Sequence, residues 1–399
     1  MAKKSISLTA AFRDFLANEQ AGSILLIVCT LASLVAANWA IGESYVDFWH
    51  GHIGPLTVEL WINDLLMAVF FLLIGLELKR ELLVGELSSI KRALLPIFAA
   101  VGGMIVPAAI HFALNNGTPT QSGIGIPMAT DIAFALGAIM LLGSRVPASL
   151  KVFLVALAVI DDLGAIIVIA VFYTAELHLA YLAGAVAVLA FLGVLNRLKV
   201  MSLVPYLLLG FVAWYLMFRS GVHATIAGVL LAFTIPAANE SPEKLSPSGF
   251  LETVLHKPVA FLILPVFALA NTGIIIGSDW AMRLGETNSL GIIAGLFIGK
   301  PIGITLASLL AVRSGVCRLP LDLSWRHVFG AGILAGIGFT MSIFITNLAF
   351  SGKADLITES KISILVASAS AAVCGIIWLK IFGAPTAEDT DPDTMDLDE

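Results

Sequence analysis

Apolar residues run along this chain in long blocks, divided by short polar or Gly- and Pro-rich breaks. Blocks of this length are too long for strands and too uniformly apolar for surface helices. The pattern therefore predicts membrane-spanning helices. Twelve spans are predicted, near 20–40, 59–84, 94–115, 120–142, 148–174, 179–195, 203–218, 221–236, 250–276, 288–312, 327–351 and 359–382. Between the first two, 43–58 carries aromatics, glycines and a proline but no Lys or Arg; it reads equally as a hairpin or an irregular loop. Ahead of span one, residues 5–18 pattern as an interfacial amphipathic helix with Phe12, Phe15 and Leu16 on its apolar side, and no cleavable leader is evident.

Two spans depart from the pattern. In span four, Gly123, Gly125 and Pro127 interrupt the helix just before Thr130 and Asp131, either of which is placed to cap a second half-helix. Span eleven carries Gly332, Gly336 and Gly338, which predict the same break. The stretches echo each other: Gly-Ile-Gly-x-x-Met recurs at 123–128 and 336–341. In the predicted topology they run in opposite directions. Interrupted segments at matching places in two oppositely oriented halves predict a transporter of inverted repeats with its site between them. The plainer alternative is that the glycines only permit close helix packing. The repeats are predicted near 94–174 and 288–382, within one polytopic unit over 1–383.

Composition agrees: 59% of residues are hydrophobic, 13% are charged, and the mean hydropathy is +0.97. Cys29, Cys317 and Cys374 are isolated in apolar surroundings and show no metal or disulfide spacing. The net charge of −6 gathers in the tail 384–399, which is predicted to be disordered; the body is near neutral, so no nucleic-acid partner is implied. With the N-terminus inside, the outer segments hold only Arg219, Arg283, Lys353 and Lys361 of the 22 basic residues, and Lys300 lies within a span. The remainder fall inside, which predicts cytoplasmic termini.

Charges inside spans are costly and are usually functional. Asp131 falls near the middle of span four, Asp161 and Asp162 near the middle of span five, and Lys300 near the middle of span ten. Four charges at one depth predict an ion or proton pathway. Adjacent helical residues point about 100° apart, so one aspartate of the pair can face Lys300 while the other faces a wet cavity. A cation in such a pathway wants oxygen ligands, and the aspartates, the Thr130 hydroxyl and freed backbone carbonyls can supply them. Asp131 is expected to offset the half-helix N-termini and Lys300 the C-termini, with Pro301 freeing the carbonyl of Phe297.

The stretches Ala129-Thr130-Asp131-Ile132-Ala133-Phe134-Ala135-Leu136-Gly137, Ala158-Val159-Ile160-Asp161-Asp162-Leu163-Gly164-Ala165 and Phe297-Ile298-Gly299-Lys300-Pro301-Ile302-Gly303 together resemble the NhaA family of bacterial sodium/proton antiporters, over about residues 10–382. That family is itself a standard example of inverted-repeat architecture, so the two arguments are not independent. The resemblance implies an all-α membrane protein of twelve helices, with helices four and eleven interrupted and crossing, and a cytoplasmic funnel ending near the aspartate pair. It implies electrogenic exchange of cytoplasmic sodium or lithium for external protons, for pH and sodium homeostasis in the bacterial inner membrane. The protein would be a secondary transporter rather than an enzyme, with no cofactor beyond its transported ions. Asp162 matches the main cation-binding carboxylate, Asp161 the neighbour paired with the lysine at Lys300, and Thr130 and Asp131 the residues at the break. Asp64, Glu77, Glu81, His223, Glu252 and His256 match residues linked to pH response. Thr253 departs from a histidine common in the family, which bears on the pH midpoint more than on transport. A homodimer through 43–58 and contact with membrane lipid are further implications.

Two other functions are open to the same residues. A sodium-coupled organic-anion symporter would need a cationic substrate cavity, and there is no second intramembrane base. An intramembrane aspartyl protease would use Asp131 and Asp162 as a dyad sharing a proton. It would leave the Asp161–Lys300 pair without a role, and the Gly-Leu-Gly-Asp stretch typical of such proteases is absent.

Overall fold

The computed structural model describes residues 10–174, 177–237 and 246–384. Almost all of them are helical; the one sheet among them is a two-stranded hairpin. Ten helices are long and apolar enough to cross a membrane, and Trp325–Ala335 with Phe339–Ala349, bent by 48°, makes an eleventh span. The span expected near 221–236 is the nine-residue helix Ile226–Thr234, too short to count by that measure. Large apolar side chains such as Leu31, Val186, Phe211 and Ile381 point outward, as they do on a surface facing lipid rather than water.

The helix ends follow from local chemistry. Ser246 caps span nine by accepting the Gly249 N–H at 3.1 Å, and Pro247 opens the helix where no N–H is needed. Span seven stops at Gly221, whose φ of 84° lies in the left-handed region. In span ten, Pro301 cannot donate to the carbonyl of Phe297. The helix takes up the mismatch as a π-turn over Gly295–Gly299, closed by the Lys300 N–H on the Gly295 carbonyl.

The segment 43–58 contains the hairpin, preceded by a helix that neither reading expected. Helix Gly42–His50 fills its first half, and a hairpin pairing His52–Ile53 with Leu56–Thr57 turns at Gly54, φ +65°. The backbone is already helical at Ala10 and runs unbroken to Ala37, so in its described part the expected amphipathic segment is continuous with span one. The surroundings of Phe12, Phe15 and Leu16, and the acidic tail from 385 onward, lie outside the described residues.

Spans three and ten pack along each other. A Cβ at Gly102 would lie 2.2 Å from the carbonyl oxygen of Gly303, and a Cβ at Gly303 equally close to that of Gly102. Only glycine allows that backbone contact, the usual device where no water-driven force joins helices. It holds span ten, and with it Lys300, against span three.

Candidate ion-binding site

Span four is broken as its glycines and proline predict. A 3-10 segment, Gln121–Met128, gives way to extended backbone at Ala129 and Asp131, and a new helix, Ile132–Met140, begins. Span eleven stops at Ala335 and restarts at Phe339. The first half of four packs on the second half of eleven, and the second half of four on the first half of eleven, so the two breaks meet. The Asp131 N–H donates to the Ile337 carbonyl across them at 2.7 Å.

At the crossing, two helix N-termini face one carboxylate. Asp131 Oδ1 accepts the Phe134 N–H at 3.0 Å, capping the lower half of span four. Its Oδ2 accepts the Thr340 N–H at 2.9 Å and the Thr340 hydroxyl at 2.5 Å, holding the restart of span eleven. Unpaired amides and helix dipoles both favour a negative charge there.

Thr130 and Lys300 occupy the other side. Lys300 is fully buried; its ammonium bonds Asp161 Oδ2 and donates to Thr130 Oγ1 at 2.6 Å. The Thr130 hydroxyl has a single hydrogen and two acceptors in reach: Asp161 Oδ2 at 2.5 Å and the Ala335 carbonyl at 3.0 Å. That carbonyl ends the first half of span eleven. Lys300 therefore serves the half-helix C-terminus through Thr130 rather than by direct contact.

Asp162 turns away from this cluster. It lines a cavity of about 40 Å³ with Glu77, Asp131, His256 and Thr340, walled by apolar residues of spans two, nine and eleven. Its Oδ1 has no hydrogen-bond partner among the protein atoms. Asp161, Asp131 and Glu77 bear on it with negative charge and Lys300 with positive. Four carboxylates against one ammonium favour any small cation or proton that enters. The volume is enough for an ion with a water or two. Thr130 is not on this wall, which Asp162 shares with Thr340 and Asp131. Both Asp131 oxygens already accept hydrogen bonds from the two helix ends.

The residues matched to pH response separate. Glu77 and His256 lie on the cavity wall, 3.9 Å apart. Arg80 bridges Glu252 at 3.3 Å and Glu81 at 3.1 Å just beyond. His223 is elsewhere, its Nε2 2.6 Å from the Tyr173 carbonyl. Asp64 is in the π-turn Trp61–Leu66, where its backbone carbonyl accepts the Trp214 indole, and it does not line the cavity.

Sequence reasoning missed Thr340, although a hydroxyl two residues past the Gly336-x-Gly338 break parallels Thr130 in span four. It also missed a second buried network. His111 Nε2 lies 3.3 Å from Asn288 Oδ1, and Asn288 donates to Glu359 at 3.1 Å and Ser360 at 2.9 Å, joining spans three, ten and twelve. A lone His or Glu near a helix end gives no periodic signal, which is why the sequence was silent on it.

Comparison with known proteins places this architecture. Residues 13–379 match the family described as Na+/H+ antiporter 1. The chain belongs to that family. The "Na(+)/H(+) antiporter NhaA" of Dechloromonas aromatica is 62% identical over 96% of this chain and 98% of its own length. The protein of the same name from Cytophaga hutchinsonii is 58% identical over 94% and 96%. The family consists of secondary transporters, not enzymes, and works without a cofactor. This chain is accordingly a multi-pass membrane protein, and the symporter and protease readings have no support.

Proposed function

We propose that the protein exchanges sodium or lithium from the cytoplasm for a larger number of external protons across the bacterial inner membrane, with both termini cytoplasmic. The observation that carries this reading is the division of labour in the aspartate pair. Asp161 is tied through Oδ2 to Lys300 and Thr130, while Asp162 makes neither bond and faces the cavity. Asp162 binds the cation in the cavity that Asp131, Thr340 and Glu77 also line. The same carboxylate takes one proton when the cation leaves, and any further proton is carried by the buried Asp161–Lys300 pair beside it. Protons and sodium then compete for one site, which is sufficient for exchange without a fixed ternary complex. The distribution of Lys and Arg supports cytoplasmic termini. The matching breaks in spans four and eleven support repeats over 94–174 and 288–382. A homodimer through the hairpin, in contact with lipid, completes the reading.

The deciding experiment uses energised inside-out vesicles and a pH-sensitive dye. Sodium or lithium is expected to dissipate the proton gradient and potassium is not. Asp162→Asn abolishes the response while the protein still inserts and melts cooperatively, since the change is nearly isosteric. An equal response to potassium, or full exchange in Asp162→Asn, overturns the assignment.

A further inference from the structure

Spans two, nine and eleven line the cavity beside Asp162 with, among others, Phe70, Leu264 and Thr340. Each of those helix faces continues away from the Arg80–Glu252 end. Asn63, Asn271 and Asn347 each lie seven residues further along that direction, two turns in every case.

The three asparagines meet. Asn271 Nδ2 donates to Asn63 Oδ1 at 2.8 Å, and Asn63 Nδ2 returns the bond at 3.4 Å. Asn347 Nδ2 donates to Asn271 Oδ1 at 2.6 Å. Asn63 and Asn271 are buried, and the side-chain oxygen of Asn347 is buried with no partner at all. Phe267 and Phe344, both fully buried, fall between the cavity and the cluster along spans nine and eleven, with Phe71 packed 5.5 Å from Phe344, centroid to centroid.

Buried amides are costly unless they bond, and here the bonds between spans exist only while the three spans stand together. Once the spans part, water satisfies every amide, including the orphaned oxygen of Asn347. The contact is therefore cheap to break into water and costly to break in any drier way. That is the behaviour of a switch rather than of a permanent core. Asn347 stands on the half of span eleven that restarts beside Asp131, so the contact joins the ion site's own scaffold to spans two and nine.

We propose that Asn63, Asn271 and Asn347 form a latch that closes the outer end of the transport route, and so sets the balance between the inward- and outward-open states. The proposal rests on the exchange reading and orientation given above. A residue that biases this balance changes apparent affinity at the two faces in opposite senses, because each face sees the site only in its own state.

The test is the sodium Km at each face, measured in inside-out and right-side-out vesicles. Asn271→Ala, which removes the side chain that bonds both other asparagines, is expected to raise the cytoplasmic Km and lower the outer Km, moving their ratio about fivefold, the effect of one neutral hydrogen bond. A ratio that stays put, or moves the other way, overturns the latch; simple damage to the fold lowers the rate at both faces and leaves the ratio unchanged. If Asn271→Ala does not fold, a second variant decides. With Cys29, Cys317 and Cys374 replaced by serine, Asn271→Cys and Asn347→Cys are joined by a short reducible linker. Exchange is expected to stop and to return on reduction; exchange that persists in the linked protein overturns the latch. If the unsubstituted chain shows no exchange, the functional reading fails by itself. The latch is then read by labelling Phe71→Cys from the outer face, which Asn271→Ala must increase; equal labelling refutes it.

Discussion

Replacing Asp131 tests the central claim about the crossing, that one carboxylate holds two helix ends. Asp131→Ala removes three acceptor contacts: to the Phe134 N–H, the Thr340 N–H and the Thr340 hydroxyl. Loss of an N-cap costs typically about 1 kcal/mol and up to about 2. Two caps go here, in a buried setting where water does not fully replace them, so the expected cost is about 2–4 kcal/mol. Asp131→Asn is a finer probe. Its single oxygen can serve one helix end, but its amide then turns a donor toward the N–H of the other. One cap and the charge–dipole attraction are lost, the latter worth about 0.3–1 kcal/mol. The expected cost is about 1–2 kcal/mol. Thr340→Val removes only the hydroxyl contact and should cost least. The assay is thermal unfolding of purified protein in detergent, followed by tryptophan fluorescence at fixed pH and without sodium. The expected order of destabilisation is Ala, then Asn, then Thr340→Val. Unfolding of Asp131→Asn at the wild-type temperature, or Thr340→Val costing as much as Asp131→Ala, would refute the double-cap account.

Three further outcomes are expected. Lys300→Ala leaves Asp161 buried without its partner, a loss worth typically about 3–5 kcal/mol, and adding Asp161→Asn restores part of it; strict additivity in a thermal double-mutant cycle would rule out a direct pair. Gly102→Ala pushes a methyl onto the backbone of Gly303 and should destabilise by about 1–3 kcal/mol, with unchanged melting counting against the close crossing of spans three and ten. If sodium and protons share Asp162, as proposed, the sodium Km is expected to rise as pH falls while the maximal rate changes much less. Initial rates across a sodium series, at several pH values equal on both faces, check this; a constant Km with a collapsing maximal rate would move the pH control to Glu77, Glu252 and His256.

The sequence by itself determined the membrane class, the positions of the breaks and the depth of the charges. Each of these is written locally: a span is a run of apolar residues, a break is glycine or proline within it, and depth is distance along a helix of fixed rise. The same logic told that one aspartate of an adjacent pair would face Lys300, since neighbours on a helix diverge by about 100°. Partner choice was decided only by the tertiary structure. Thr130 was a natural ligand for Asp162 by its place at the break, yet the crossing with span eleven turns its hydroxyl to Asp161 and the Ala335 carbonyl. Thr340 lines the cavity instead, because the restart of span eleven points into it. Glu77 belonged with Glu81 and Arg80 by spacing, and is set beside Asp162 instead by the packing of spans two and nine. His111 with Glu359, and the three asparagines, lie far apart in sequence and meet only when helices from different parts of the chain are brought side by side. Patterns along one helix report which face is buried; they carry no record of which other helix will cover it.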